Sequence, residues 1–357
     1  MKFEIEVTKT KQSNIRNIDF NDLPFGRVFT DHMFMMEFNG HEWVQPRIVP
    51  LSKLAIHPAN LSFHYGQSIF EGMKASVNRE GVPLLFRPDQ HGARLNASAR
   101  RMCMPEINVE FFIEAVSQLV YLEKDWIPPT DGSALYIRPL MFATDVYLGV
   151  APSKTFTFLI LTLPVGPYYS RPVKLLVSQE YVRAAVGGVG EAKTSGNYAA
   201  GLLPSRLANK RGYDQILWLD AREFKYIQEV GTMNIFFVIN NKVITPALDG
   251  AVLHGITRNS FIQLLREKRV PVEERKISID EVVDAHKQGT LTEIFGTGTA
   301  AVSINISEVA YNDETIVIDP KNWRISDMLK KEISDLRTGK QQDTLHWIVP
   351  VLEPVNA

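Results

Sequence analysis

The 357-residue chain reads as an α+β protein built as two domains with a cleft between them. Its length is roughly twice the ~150 residues of a common single domain, so each half can bury its own core. Hairpin signals punctuate the first half, whereas strand-like and helix-like runs mix in the second. Between the halves, PVGPYYSRP (164–172) packs turn formers between two strand-like runs. These observations predict a small N-terminal α/β domain over 1–165, a linker over 166–176 and a larger C-terminal domain over 177–357.

HMFMMEF and HEW flank Asn39-Gly40, a pair that tolerates the positive φ angles of a type I′ turn. KASVN and VPLLF flank Arg79-Glu80-Gly81, which fits a three-residue hairpin loop. A helix fits 108–123: Asn108 can cap it, and Phe112, Ala115, Val116, Leu119 and Val120 share one face. ALYIRPLMFAT and TFTFLILTL read as strands, the second too apolar for a solvated face and so buried on both. Beyond the linker, 198–210 reads as one helix that Gly212 stops. Hairpins turn near 220–223 and at Asn240-Asn241. Gly255-Ile256-Thr257-Arg258 enters another helix, and Ser278 with Glu281 forms a capping box for the helix that Gly289 ends.

Composition excludes several classes of function. With 39 basic and 40 acidic side chains, the chain lacks the basic excess of a nucleic-acid binder. No run approaches the ~18 apolar residues of a membrane span, and MKFEIEVTKTKQSN lacks the apolar core of a secretory signal. Cys103 is the single cysteine, and the eight histidines show no metal-ligand spacing, so no metal is expected. A cytoplasmic globular enzyme is the expectation.

The most unusual stretch is VGGVGEAKTSGNYAAG (186–201), where four glycines lie before and around Lys193. A lysine in such a loop is most often solvated and inert. Its functional reading is an amine delivered to a pocket floor, where a lowered pKa lets it form a Schiff base. One lysine does not decide between them.

EAKTSGNYAAGLLPSRLANKRGYDQILWLD, followed by IQEVGTMNIFFV, resembles the cofactor segment of the branched-chain amino-acid aminotransferases, fold type IV of the pyridoxal-phosphate enzymes. FHYGQSIFEGMKA, LYIRPLMFAT and IFGTGTAAVSI agree with it in order, so the match runs from FGRVFTDHM (25–33) to beyond residue 300. The resemblance implies a two-domain fold type IV enzyme with its active site in the interdomain cleft. It implies transamination of leucine, isoleucine and valine with 2-oxoglutarate, giving branched-chain 2-oxo acids and glutamate. Branched-chain amino-acid biosynthesis or degradation is the implied setting, and pyridoxal 5'-phosphate the cofactor.

Matched position by position, the resemblance makes Lys193 the catalytic Schiff-base lysine and proton shuttle. It sets Glu229 beside the pyridine nitrogen and Tyr198 on the ring oxygen. Arg94, Ile256, Thr257 and Thr299 become the phosphate donors, with Arg100 and Arg101 left solvated. Thr299 and Ala300 face the substrate carboxylate; Phe70, Tyr136, Tyr168 and Thr232 line the side-chain pocket. Arg138 meets the second carboxylate of glutamate at the rim, and Tyr65 reaches in from a neighbouring subunit of a homodimer or dimer-based oligomer. Taken alone, each aromatic is more commonly core and Glu229 more commonly an exposed strand-end acid. The CxxC pair of mammalian members is absent, Ala301 and Ile304 standing there, so no thiol switch is expected at that site; with no evident organelle-targeting extension, a microbial, cytoplasmic form is the expectation. D-amino-acid aminotransferase, aminodeoxychorismate lyase and a non-catalytic pyridoxal-phosphate carrier are the rival readings.

Overall fold

A computed structural model describes residues 4–167 and 171–354. Tyr168, expected in the substrate pocket, lies outside the described residues. The described chain divides into two compact units. One holds 4–167, Ala192–Ser195 and 334–354; the other holds 171–191 and Gly196–Ile333.

In chain order the first unit contributes β1 (Glu6–Val7), β2 (His32–Phe38), β3 (Trp43–Pro50) and helix α1 (Leu61–Tyr65). Next come β4 (Ser68–Phe70), β5 (Met73–Val77), β6 (Pro83–Phe86), α2 (Pro88–Arg101) and α3 (Val109–Leu122). The strands β7 (Ala134–Ala143) and β8 (Phe156–Val165) follow, and Ile348–Pro350 returns from the end of the chain to pair with β6. The sheet runs β1-β3-β2-β8-β7-β5-β6 with that last strand at its edge, and β4 pairs with β7. Apart from the parallel β1–β3 pair its ladders are antiparallel.

β8 is hydrogen-bonded to β2 on one side and β7 on the other, and it is buried along nearly all its length, as its unbroken apolar run predicts. The apolar stripe of α3, Phe112, Ala115, Val116, Leu119 and Val120, seals one face of the sheet beside Phe34, Ile137 and Phe158. Asn108 caps α3 by accepting the N–H of Phe111. The Asn39-Gly40 expectation needs correction: β2 and β3 are joined by residues 39–42, and in that loop Gly40 alone takes a positive φ. Asn39 uses its side-chain oxygen to accept from His41 and Glu42 N–H groups, a local turn that replaces the two-residue one.

The second unit contributes β9 (Val173–Val177), α4 (Ser195–Ala199, shared at its first residue with the first unit), α5 (Leu202–Lys210), β10 (Gln215–Leu219) and β11 (Ile227–Val230). β12 (Asn234–Ile239), β13 (Lys242–Thr245), α6 (Ile256–Glu267), β14 (Val272–Glu274) and α7 (Ile279–Lys287) follow. The chain goes on through β15 (Leu291–Gly298), β16 (Val302–Tyr311), β17 (Glu314–Val317) and α8 (Ile325–Arg337), and the returning strand of the first unit is β18. The sheet order is β11-β10-β9-β16-β15-β12-β13-β14. Stacked Phe236 and Phe295 rings, 5.2 Å apart, meet Phe261 of α6 and anchor that helix to the sheet.

The single helix expected over 198–210 is two, α4 and α5, interrupted at Ala200-Gly201. Gly196 and Gly201 lower the local helix propensity, and the Gly201 N–H turns back to Tyr198 O instead of continuing the α-helical ladder. Asn240 and Asn241 both take left-handed φ, 50° and 61°, and close the β12–β13 hairpin. Ser278 accepts the Glu281 N–H as the capping box requires, but the Glu281 carboxylate pairs with Arg275 instead of reaching back.

Candidate active site

Within the first unit Lys193 is spliced onto the edge of β4. Its N–H donates to Ser98 Oγ at 2.9 Å, and its carbonyl accepts the Phe70 N–H at 3.0 Å. The Thr194 hydroxyl donates to Ser68 O, and the Ser68 and Ser195 hydroxyls meet at 2.6 Å. The backbone on both sides of the lysine is thereby pinned while its side chain stays half-buried, with Nζ 4.8 Å from the centre of the Phe70 ring.

Arg94 stands one helical turn before Ser98 on α2. Its Nε and Nη2 fork onto the two oxygens of Glu71, at 2.7 and 2.9 Å, and His91 Nδ1 joins Glu71 at 2.8 Å. Glu71 is fully buried. Burial alone drives its carboxyl up, but the charge and hydrogen bonds of Arg94, with His91, outweigh that and hold it well below the usual carboxylate range.

Arg138 of β7 donates from Nη2 to Tyr136 Oη at 2.9 Å, and its guanidinium lies over Phe70 at 4.7 Å. Its Nε is sealed from solvent and has no hydrogen-bond partner. Phe70, Tyr136, Arg138 and Lys193 therefore form one neighbourhood around the Phe70 ring. Tyr65 is about half exposed on α1 and donates to Leu148 O. Arg100 and Arg101 are exposed on α2, as expected.

In the second unit, Glu229 on β11 is 2% exposed, which overturns the reading of an exposed strand-end acid. Its Oε1 accepts the Leu253 N–H at 2.7 Å, and its Oε2 lies 3.2 Å from Arg183 Nε. Arg183 in turn donates to Ala251 O, so arginine and glutamate clamp the 251–253 turn from two sides. The backbone of Gly190 passes so close to Ala251 that a Cβ would sit 2.4 Å from its carbonyl oxygen, so this position of the glycine-rich stretch admits glycine alone.

Ile256 and Thr257 open α6, where unpaired N–H groups and the helix dipole favour an anion. The Thr257 hydroxyl reaches Gly298 O at 3.4 Å, tying that helix start to the Thr299-Ala300-Ala301 turn between β15 and β16. Thr232 is exposed in the tight turn after β11, and Tyr198 is half-buried on α4. Ser98, Glu71 and Arg183 are partners of the candidate residues that sequence reading missed. Ser98 carries the one usable signal, its four-residue spacing from Arg94.

Comparison with known proteins shows what the chain as a whole is similar to. The family described as amino-transferase class IV matches residues 68–309. The "Branched-chain-amino-acid transaminase 1" of Bacillus subtilis (strain 168) is 50% identical over 339 residues, 93% of this chain and 95% of that protein. A solved structure of the branched-chain aminotransferase of Thermoproteus uzoniensis with norvaline superposes with a TM-score of 0.76 at 25% identity, covering 90% of this chain and 100% of that one. The branched-chain amino acid aminotransferase of Thermobaculum terrenum, solved in its PLP-form (holo-form), has the same fold, with a TM-score of 0.72 at 22% identity over 92% of this chain and 100% of that one.

Proposed function

The chain belongs to the class IV aminotransferases, of fold type IV, and from that premise we propose how its residues divide the work. It is a branched-chain amino-acid transaminase that uses pyridoxal 5'-phosphate. The observation that carries the proposal is the pinned backbone around a lysine whose amine is left half-buried against Phe70. A backbone fixed on both sides, with the amine on a long flexible stem, suits a group that must reach one carbon repeatedly.

The donor set fits the cofactor: a buried carboxylate, an arginine, a helix start and a lysine are what its ring nitrogen, phosphate and carbonyl require. Glu229 holds a proton at the ring nitrogen, Tyr198 donates to the ring oxygen, and Arg94 with the N–H groups of Ile256, Thr257 and Thr299 receives the phosphate. When bound, the cofactor supplies an electrophilic carbon and an electron sink for the substrate Cα. Lys193 Nζ takes the Cα proton and later returns it.

The substrate pair is leucine, isoleucine or valine with 2-oxoglutarate, and glutamate is the other product. Thr299 and Ala300 meet the α-carboxylate, while Phe70, Tyr136, Tyr168 and Thr232 face the side chain. Arg138 serves the second carboxylate of glutamate; the unpartnered Nε beside its Tyr136 bond supports this. Exposed Phe63 and Tyr65 on α1 support a homodimer in which Tyr65 serves the partner's site. Among the described residues no helix is long and apolar enough to cross a membrane, and a single cysteine agrees with a cytoplasmic setting.

Leucine with 2-oxoglutarate should give glutamate, and D-alanine should not replace leucine. Borohydride reduction of the holoenzyme followed by peptide mapping should place the pyridoxyl group on Lys193. Labelling of another lysine, or activity retained in Lys193→Ala, would overturn the assignment.

A further inference from the structure

We propose that Asn234 is a positioning residue that sets the start of α6 against Glu229, and so fixes the phosphate end of the cofactor site relative to its ring-nitrogen end. This rests on the reading above, in which Glu229 serves the ring nitrogen and the N–H groups of Ile256 and Thr257 receive the phosphate. All the groups concerned lie in the second unit. Asn234 opens β12, is 5% exposed, and sits in register with Thr297 of β15, so its backbone is held in the sheet. From there its Nδ2 donates to Leu253 O at 2.9 Å. Leu253 O also accepts the Gly255 N–H at 2.8 Å, which closes a tight turn over 253–255 immediately before α6. The Leu253 N–H, in turn, donates to Glu229. One residue, Leu253, is therefore gripped at its N–H by Glu229 and at its carbonyl by Asn234.

The second contact is steric. Gly255 is the N-cap of α6, and no side chain caps the helix there. A Cβ at Gly255 would sit 1.9 Å from Asn234 Oδ1, so the amide occupies the space that a capping side chain would need. The φ of Gly255 is −66°, a value open to any residue, so close approach and not backbone strain is what favours glycine. An ordinary N-cap side chain accepts one of the first N–H groups of its helix. With Asn234 in that space, the helix start is steadied from the side through Leu253 O, and no cap takes the N–H groups of Ile256 and Thr257. Upstream, Arg183 on Ala251 O and Glu229 on the Leu253 N–H hold the turn independently. Loss of Asn234 should therefore loosen residues 253–257 and leave the ring-nitrogen end in place.

The test reads how strongly the full-length chain, stripped of cofactor, prefers pyridoxal 5'-phosphate over phosphate-free pyridoxal in separate titrations. Asn234→Ala should weaken pyridoxal 5'-phosphate about tenfold and pyridoxal about twofold or less. Gly255→Ala must push the amide aside, so it should bring a similar loss in the wild-type background. It should add little to Asn234→Ala, because both changes break one contact. Proline is tolerated at the first helical position, so Ile256→Pro deletes one proposed donor and reports whether α6 receives the phosphate. If Ile256→Pro lowers the preference while Asn234→Ala does not, the role of Asn234 is overturned and the functional reading stands. Additive losses in Asn234→Ala and Gly255→Ala would overturn that role too. If Ile256→Pro also leaves the preference unchanged, the phosphate is not received at α6, and the reading falls together with the proposal. Should Asn234→Ala fail to fold, Gly255→Ala alone decides, and an unchanged preference there overturns the role.

Discussion

Ser98 Oγ accepts the backbone N–H of Lys193 at 2.9 Å, and Arg94 lies one turn earlier on the same helix. One helix, α2, thus carries the arginine proposed for the phosphate and the anchor of the lysine proposed as catalytic. The spacing between them is set by helical geometry instead of by loop conformation.

Ser98→Ala should therefore lower kcat about two- to tenfold, the worth of one net hydrogen bond of ~0.5–1.5 kcal/mol, with cofactor affinity little changed. Steady-state kinetics beside a cofactor titration would check it. An unchanged kcat would show that the β4 contacts hold the lysine alone.

Glu71→Gln should destabilise the protein by about 3–5 kcal/mol, because it leaves Arg94 buried without its countercharge. Chemical denaturation of the apoenzyme measures this. Addition of cofactor should recover part of the loss, since its phosphate supplies the missing charge.

Lys74 gives a pH dependence of definite sign. Burial first, and the charge of Arg337 second, push its pKa from 10.5 down to about 7. Between those values the unfolded chain binds a proton that the folded chain has released, so stability rises with pH across that window. In Lys74→Met the rise should be smaller, as read from unfolding free energies at the two ends of the window. Identical slopes in both proteins would mean that Lys74 stays charged when folded.

Arg138→Met should damage the glutamate half-reaction far more than the leucine one. Glutamate and 2-oxoglutarate alone bring a second carboxylate, and a charge-assisted contact is worth ~1.5–3 kcal/mol, about ten- to a hundredfold. Methionine keeps most of the stem over Phe70. Single-turnover rates for each half-reaction give the ratio directly; equal losses would make Arg138 a support of the pocket wall.

Local features were legible where one physical cause dominates. The α3 stripe follows from 3.6-residue periodicity and its Asn108 cap, and the twice-flanked burial of β8 follows from an unbroken apolar run. The division of 198–210 into two helices was not legible, because two glycines weigh little in a pattern dominated by apolar spacing. Nor was the Asn39 turn, where a side-chain hydrogen bond competes with the backbone turn that the residue pair favours.

By itself the sequence determined the α+β class, the main strands and helices, and the family, because motifs in the right order over most of the chain favour one family over its rivals. Tertiary structure alone decided that residues 192–195 belong with the N-terminal unit, although they lie among residues of the second. It also decided that Glu71 neutralises Arg94 and that Arg183 backs Glu229. The reason is physical. Periodicity and turn chemistry act over a few residues, but a buried charge is governed by whichever groups folding brings within a few ångströms, and those come from anywhere in the chain.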